Sequence, residues 1–312
     1  MTNKEKIFVS AVIYVHNAGE RIGKFLECIV DVLEDNFEHS EIILCNDCSS
    51  DNSAEIIKQT SNRARTTNIS IINMSYFHGL ELAMNAGINF AIGDFVFEFD
   101  NTNLDFDKTE IVKIYKKSLE GFDIVSASPL KKLKRSSDLF YKVFSKNTDN
   151  RFELKTESFR VLSRRAINRI SSMNKTIPYR KVLYATCGLK TYNISYNVLD
   201  NNVYVKDGEE NKYRINLAID ALILFTDVGY TFAKNMTLAM IVITVLAAVY
   251  STCVYLIGNP VEGWTTTILF LSFCFFGMFG ILTIVIKYLQ IIVNLVFKNK
   301  RYSFESIEKL TR

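Results

Sequence analysis

Residues 235–261 and 263–286 carry no charged side chain, and Glu262 alone separates the two runs. Each run exceeds the roughly 20 apolar residues that cross a hydrocarbon core about 30 Å thick. Their centres read MTLAMIVITVLAAVYSTCVYLI and TTTILFLSFCFFGMFGILTIVI, joined by the turn-forming GNPVEGW. Two such runs in series predict a pair of transmembrane helices rather than a buried hairpin of a water-soluble fold. Lys212, Arg214 and Lys234 precede the first run; Lys287, Lys298, Lys300 and Arg301 follow the second; the connecting loop has no basic residue. Loop Lys and Arg stay on the cytoplasmic side, which predicts an inner, multi-pass membrane protein with both chain ends in the cytoplasm. The start, MTNKEK, runs straight into a strand, so no targeting segment is expected.

The rest of the 312 residues has the composition of a folded enzyme-sized domain. Apolar residues at 48% against charged residues at 22% exclude disorder and coiled coil as global descriptions. The net charge of +4 is too small to suggest a nucleic-acid partner. Cys28, Cys45, Cys48, Cys187, Cys253 and Cys274 are scattered, so a secreted disulfide scaffold is excluded and reduced thiols are expected.

The first 200 residues alternate strand and helix patterns. IFVSAVIYV (7–15) is a nearly continuous β-branched run, as in a strand buried on both faces. Ile22, Phe25, Leu26, Ile29, Val32 and Leu33 then fall at helical spacing. EIILC, ISIINM, DFVFEFD and FDIVSA read as further strands, with SAEIIKQTSNRA and GLELAMNAGINFAIG as helices between them. Such alternation predicts an α/β fold with a mostly parallel sheet covered on both faces. Ligands of such sheets bind beyond the carboxyl ends of the strands. Those ends carry His16-Asn17, then Asn46-Asp47-Cys48-Ser49-Ser50-Asp51, then Asp100-Asn101-Thr102-Asn103-Leu104-Asp105. A carboxylate there can accept from a base N–H or ribose hydroxyls, whereas Ser50 and Asp51 also suit a capped turn.

These segments resemble the inverting GT-A glycosyltransferases of family 2. EIILCNDCSSDNSAEII is similar to the family's nucleotide-sugar pattern EIIxVDDGSSDxT, and HGLELAMNAGINFAIGDFVFEFD to the segment that follows. ESFRVLSRRAINRI (157–170) resembles the GDFRLLxRR signature of polyisoprenyl-phosphate glycosyltransferases, which include dolichol-phosphate mannose synthases and bactoprenol glucosyltransferases. NKYRINLAIDALILFTDV, the two apolar runs and the tail ending FKNKRYSF match its membrane-bearing members in order. The resemblance implies a Rossmann-like GT-A domain at 1–205, juxtamembrane amphipathic helices at 206–234, two transmembrane helices at 235–287 and a basic cytoplasmic tail at 288–312.

It also implies transfer of a hexose, from a UDP-sugar in bacterial relatives, to undecaprenyl or another polyprenyl phosphate. Asn17, Asp47, Ser49, Gly79 and Asp100 would line the donor nucleotide. Asp100, with Asp105, would hold Mg²⁺ or Mn²⁺; Asp100, Arg160 and Glu157 would form the catalytic group. Arg160, Arg164, Arg165, Lys212 and Arg214 would meet the lipid phosphate, since the guanidinium fork contacts phosphate in bidentate fashion. With two spans this chain is not expected to flip its product, so a flippase and a downstream glycosyltransferase are the implied partners, and a homo-oligomer stays open. Two alternatives remain: the same fold acting on a lipid-linked glycan, and a non-catalytic donor-binding homologue.

The sequence departs from the pattern at identifiable places. Thr102 stands for the second Asp of the metal-binding DxD and Leu104 for a Gln that often assists, while Asp105 matches. Glu98 shares a strand face with Asp100 by period-two alternation, as a substitute ligand or, in the favoured alternative, a solvent-facing or paired structural group. Asn46 replaces an Asp, Cys48 a Gly, Tyr14 a Pro and Ser158 the Asp of the FRL signature. Cys45 and Cys48 have CxxC spacing but no second ligand pair, so Cys45 is expected in the core and Cys48 in a turn. His16 and His78 lie near strand ends, where they could touch ligand, with a polar-loop role favoured, and His39 is expected as a surface loop residue. The cluster Lys131-Lys132-Leu133-Lys134-Arg135 reads as a solvated face or a contact with the anionic leaflet. Residues 212–235 mix Ile and Leu with Arg214 and Asp220, as interfacial helices do.

Overall fold

A computed structural model describes residues 4–130, 156–173, 179–199, 263–297 and 304–311, with separate positions between 212 and 246. In chain order the elements are β1 (Glu5–Val15), α1 (Gly19–Asn36), β2 (Phe37–Asn46), α2 (Ser53–Ser61), β3 (Asn68–Met74), α3 (Leu80–Phe90), β4 (Phe95–Phe99) and α4 (Thr109–Leu119). There follow β5 (Ile124–Pro129), β6 (Phe159–Ser163), α5 (Arg164–Met173), α6 (Arg180–Thr186), β7 (Thr191–Tyr196), α7 (Trp264–Phe297) and β8 (Phe304–Lys309).

The strands form one eight-stranded sheet in the order β7-β5-β6-β4-β1-β2-β3-β8. β1 lies inside it, parallel to both β2 and β4. Its run from Val9 to Val15 is buried throughout, which is why it lacks the alternation of a half-exposed strand. One face packs Ile13, Val15, Ile42 and Phe97 against the α1 residues Ile22, Phe25, Leu26 and Ile29. The other packs Val12, Ile43, Cys45 and Val96 against Ala83, Met84 and Ile88 of α3. A Cβ on Gly87 would come within 2.4 Å of Val12 Cγ1 and 2.5 Å of Cys45 Sγ, so glycine lets α3 settle directly on the sheet.

The sheet is mixed, not simply parallel. β6 inserts antiparallel between β4 and β5, with Arg160 opposite Glu98 and Phe159 opposite Phe99. The FRVLS segment that reads as a signature is thus also a strand. It runs backwards, so its amino end reaches the carboxyl end of β4. A second difference lies at the other edge. β8, within the stretch expected to be a tail, pairs antiparallel with β3. Leu310 N–H donates to Ile69 O at 2.8 Å, and Lys58 meets Glu308 at 2.6 Å. Phe304, Ile307 and the polar residues between them show only a short alternation, too little to identify an edge strand from sequence.

Counting only described residues, no helix is long and apolar enough to cross a membrane. The backbone of α7 is nonetheless helical for 34 residues, about 51 Å at 1.5 Å per residue. Leu271, Phe273, Phe279, Leu282 and Leu289 project outward from it. Lys287 pairs with Asp220 at 3.0 Å, and Gly277 lies against the thioether of Met240. Most of the first apolar run, Arg214 and the Lys131–Arg135 cluster lie outside the described residues.

Candidate active site

The carboxyl ends of β1 and β2 are tied together by their loops. Asn17, in the left-handed region at φ 44°, donates its N–H to Ser49 Oγ (3.1 Å) and accepts from Ser50 N–H through Oδ1 (2.9 Å). Asp51 accepts from Gly19 N–H at 2.8 Å and from Ser53 N–H at 3.1 Å. Asp51 is thus the capping carboxylate of a turn that joins both loops, and these bonds lower its pKa against the opposing effect of burial. Cys48 adopts φ 53°, the conformation for which the related pattern carries glycine.

Asp47 is completely buried. Its Oδ1 accepts from His78 N–H (2.8 Å), and its Oδ2 from Gly79 N–H (2.8 Å) and Tyr14 Oη (3.0 Å). Gly79, at φ 82°, precedes the first turn of α3, so the carboxylate caps the positive end of that helix. Burial raises the Asp47 pKa, against the lowering effect of those donors. The side chain expected to reach for the nucleoside fixes the loop between β3 and α3. His16 and His78 are buried rather than loosely placed. His16 Nδ1 lies 2.7 Å from Asp47 O, and His78 stacks on Tyr76 at 3.9 Å. His39 belongs to β2, not to a loop.

At the end of β4 a compact charge cluster forms. Arg160 Nη2 donates to Asp100 Oδ2 and Nη1 to Glu98 Oε2, both at 2.6 Å, while Nε reaches Glu157 Oε2 at 3.1 Å. Arg180, from α6, donates Nη1 to Glu98 Oε2 and Nη2 to Asp100 Oδ1, each at 3.0 Å, and Nε to Glu81 Oε2 at 2.9 Å. Tyr184 Oη donates to Glu98 Oε1 at 2.6 Å. Glu98 is thus paired and fully buried, not solvent-facing, with its oxygens taken by Arg160, Arg180 and Tyr184. Burial alone would raise the Asp100 pKa, but the two guanidiniums hold it far below the usual carboxylate range. The four carboxylates Glu81, Glu98, Asp100 and Glu157 outnumber the two guanidiniums, which leaves an anionic excess.

The remaining expected residues divide sharply. Asp105 accepts from Tyr196 Oη at 3.0 Å, and the same hydroxyl lies 2.8 Å from Ser158 Oγ. Thr102 is buried, and Asn103 Oδ1 accepts from Arg21. Among the described residues, no three His, Cys, Asp or Glu side chains converge as a preformed metal site. Arg164 donates to the carbonyls of Ala91 and Gly93, and Arg165 grips Asp123. These partners precede β4 and β5, so both arginines sit at the opposite end of the sheet from Asp100. Lys212 is exposed.

Arg180, Glu81 and Tyr184 escaped sequence reasoning. Glu81 reads as an ordinary acidic residue of a helix first turn, and Arg180 as a solvated helix charge. Only tertiary packing joins them. Cys45 and Cys48 are free thiols; Cys45 lies in the core, where burial pushes it up to about 12, and Cys48 is exposed in the turn after β2.

Residues 10–171 match the profile of glycosyl transferase family 2. The chain is 25% identical over 223 residues to the uncharacterized glycosyltransferase YkcC of Bacillus subtilis, a match covering 70% of this chain and 68% of that one. It is 34% identical over 148 residues to the undecaprenyl-phosphate 4-deoxy-4-formamido-L-arabinose transferase of Proteus mirabilis, covering 47% of this chain and 44% of the relative. Among solved structures, glucosyl-3-phosphoglycerate synthase from Mycobacterium tuberculosis superposes with TM-score 0.51 at 13% identity, covering 70% of this chain and 78% of that one. Mannosyl-3-phosphoglycerate synthase from Rubrobacter xylanophilus gives 0.50 at 17%, with 69% and 74% covered. These likenesses establish the GT-A-type sheet fold.

Proposed function

The chain belongs to glycosyl transferase family 2, and we propose that it transfers a hexose from a nucleotide sugar, a UDP-sugar in the first instance, to polyprenyl phosphate at the cytoplasmic leaflet. The observation that carries this is Asp100, an ionised carboxylate held by two buried arginines at the carboxyl end of β4, beside the joined loops after β1 and β2. Nucleotide ligands of parallel sheets bind at that edge. The Proteus mirabilis relative is named for undecaprenyl phosphate, and the Mycobacterium tuberculosis structure contains Mn²⁺ and UDP.

Asn17, Ser49 and Gly79 would line the nucleoside side, with Asp47 shaping it through the α3 loop. A divalent ion fits one carboxylate: Mg²⁺ is commonly held by one or two carboxylates, substrate phosphates and water. Asp100 would hold it, Oδ2 having a single guanidinium partner, and bound there it would offset the charge of the leaving diphosphate. Asp105 would act at most through the end of β7. The lipid phosphate, with a second pKa near ~6, is already anionic at neutral pH, so alignment matters more than a base. Lys212 and Arg214, ahead of the apolar runs, are its proposed partners in place of Arg164 and Arg165.

We place the apolar runs across the membrane as a helical pair. The contact between Met240 and Gly277 joins the two runs, and β8 returns the chain to the sheet it left after β7. A chain that returns to its own domain crosses an even number of times, which supports both ends being cytoplasmic.

The test incubates detergent-purified protein with undecaprenyl phosphate and radiolabelled nucleotide sugars, following label into the organic phase. Transfer to the monophosphate supports the proposal and identifies the sugar. Label appearing only on a lipid-linked glycan would move the acceptor to that class.

A further inference from the structure

Three polar residues stand directly across adjacent strands: Asn46 of β2 is opposite Asn73 of β3, and Asn73 is opposite Ser306 of β8. Asn46 Nδ2 donates to Asn73 Oδ1 at 2.9 Å. Asn73 Nδ2 donates in turn to Ser306 Oγ at 3.0 Å and to Glu308 Oε1 at 3.3 Å, Glu308 following Ser306 on the same side of β8. At the other end Asn46 Oδ1 accepts from Ser49 N–H at 3.3 Å, and Ser49 Oγ accepts from Asn17 N–H at 3.1 Å. A row of side-chain bonds therefore runs from the edge strand to the joined loops after β1 and β2. β8 follows the apolar runs in the chain, whereas Asn17 and Ser49 precede them.

The direction of this row is fixed at its β8 end. Glu308 also meets Lys58 at 2.6 Å, and an ionised carboxylate only accepts. The Asn73 amide must turn its NH2 group toward β8, which leaves its oxygen for position 46. Residue 46 then has to donate to Asn73 while accepting from Ser49, and of Asn and Asp only the amide does both. An acid at 46 would set two oxygens against each other unless Asn73 turned over. Turning it over would set its oxygen against Glu308.

We propose that Asn73 is a positioning residue through which the seating of β8 sets the Asn46–Ser49 turn, and that Glu308 thereby dictates an amide at position 46. Its bearing on the donor rests on the proposed reading of Asn17 and Ser49 as the nucleoside side; the relay itself does not.

The test is a double-mutant cycle on the full chain in detergent between positions 46 and 308, which Asn73 separates. Asn46→Asp should lower the melting midpoint by roughly 3–6 °C and speed hydrogen exchange at Ser49 and in β8. Glu308→Gln keeps an acceptor for Asn73 and loses only an exposed ion pair, so its midpoint should move by less than about 2 °C. Combining the two should recover most of the loss, because the Gln amide can donate to a turned-over Asn73. Recovery from a residue two strands away is not expected of a simple loss of packing. No loss in Asn46→Asp, or a loss that Glu308→Gln does not recover, overturns the relay. If Asn46→Asp fails to fold, recovery is read as folding of the double variant, and its failure to fold overturns the relay equally. Equilibrium dialysis of labelled UDP and the donor KM give the second readout. Asn46→Asp should weaken both by roughly tenfold, with kcat changing less, and the double variant should restore them. Recovery in melting and exchange with UDP affinity unchanged throughout upholds the relay and removes the nucleoside reading of the Ser49 loop.

Discussion

Arg160 grips both oxygens of Asp100, Nη2 to Oδ2 at 2.6 Å and Nη1 to Oδ1 at 3.3 Å, from a strand running opposite to the one that presents the acid. The register of β4 and β6 makes this contact: Glu98 faces Arg160 directly, and Asp100 follows two residues later on the same side. Because Arg160 is fully buried, its loss would leave several carboxylates without their main partner. Arg160→Met should destabilise the catalytic domain by about 3–5 kcal/mol, the usual cost of breaking a buried pair from one side. Thermal melting in detergent checks this; an unchanged midpoint would show that the cluster does not support the fold.

The two buried strand-end acids should respond to pH with opposite signs. Asp100 has a depressed pKa in the folded protein, so the stability it contributes is complete above about pH 4, the unfolded carboxyl value, and is lost as pH falls toward the folded value. Asp47 has a raised pKa, so its protonation favours the folded state as pH falls. Melting curves across mildly to strongly acid pH should therefore be flatter for Asp100→Asn than for wild type. For Asp47→Asn they should be steeper.

Removing the Asp47 carboxylate altogether strands the N–H groups of His78 and Gly79 and the hydroxyl of Tyr14. Asp47→Ala should cost about 1–3 kcal/mol and loosen the loop before α3. Hydrogen exchange at His78 and Gly79 is the direct readout: both amides should lose protection, whereas α4 should not.

Cys48 is an exposed residue at φ 53°, where a side chain carries a steric penalty. Cys48→Gly should raise stability by about 1 kcal/mol or less, the relieved strain being offset by extra freedom in the unfolded chain. A lowered melting midpoint would show that the thiol makes a contact the loop depends on.

Much of this was legible in the sequence, for physical reasons that differ by element. β1 and α1 declare themselves because burial demands apolar residues at periods of two and 3.6, and Asp47 and Asp100 stand out because polar residues end buried strands. β6 was recognisable as a signature yet not as a strand, since five residues carry too little periodicity. The edge strand β8 depends on pairing with β3, more than 200 residues earlier, which no local pattern records. The same limit hid Arg180 and Glu81, which face each other only once α3 and α6 share a side of the sheet. Arg164 and Arg165 show the converse: a familiar basic doublet whose position after β6 turns it toward the opposite edge.

In the proposed function Asp100 marks the donor end of a glycosyltransferase acting on polyprenyl phosphate. The most direct measurement compares wild type and Asp100→Ala for transfer of radiolabelled sugar from its nucleotide to undecaprenyl phosphate, with Mn²⁺ present or chelated. Metal-dependent glycolipid formation by wild type is expected, with a loss of at least about 100-fold in the variant, the scale of removing an electrostatic stabiliser of the transition state. Glycolipid formed equally by both proteins would contradict it.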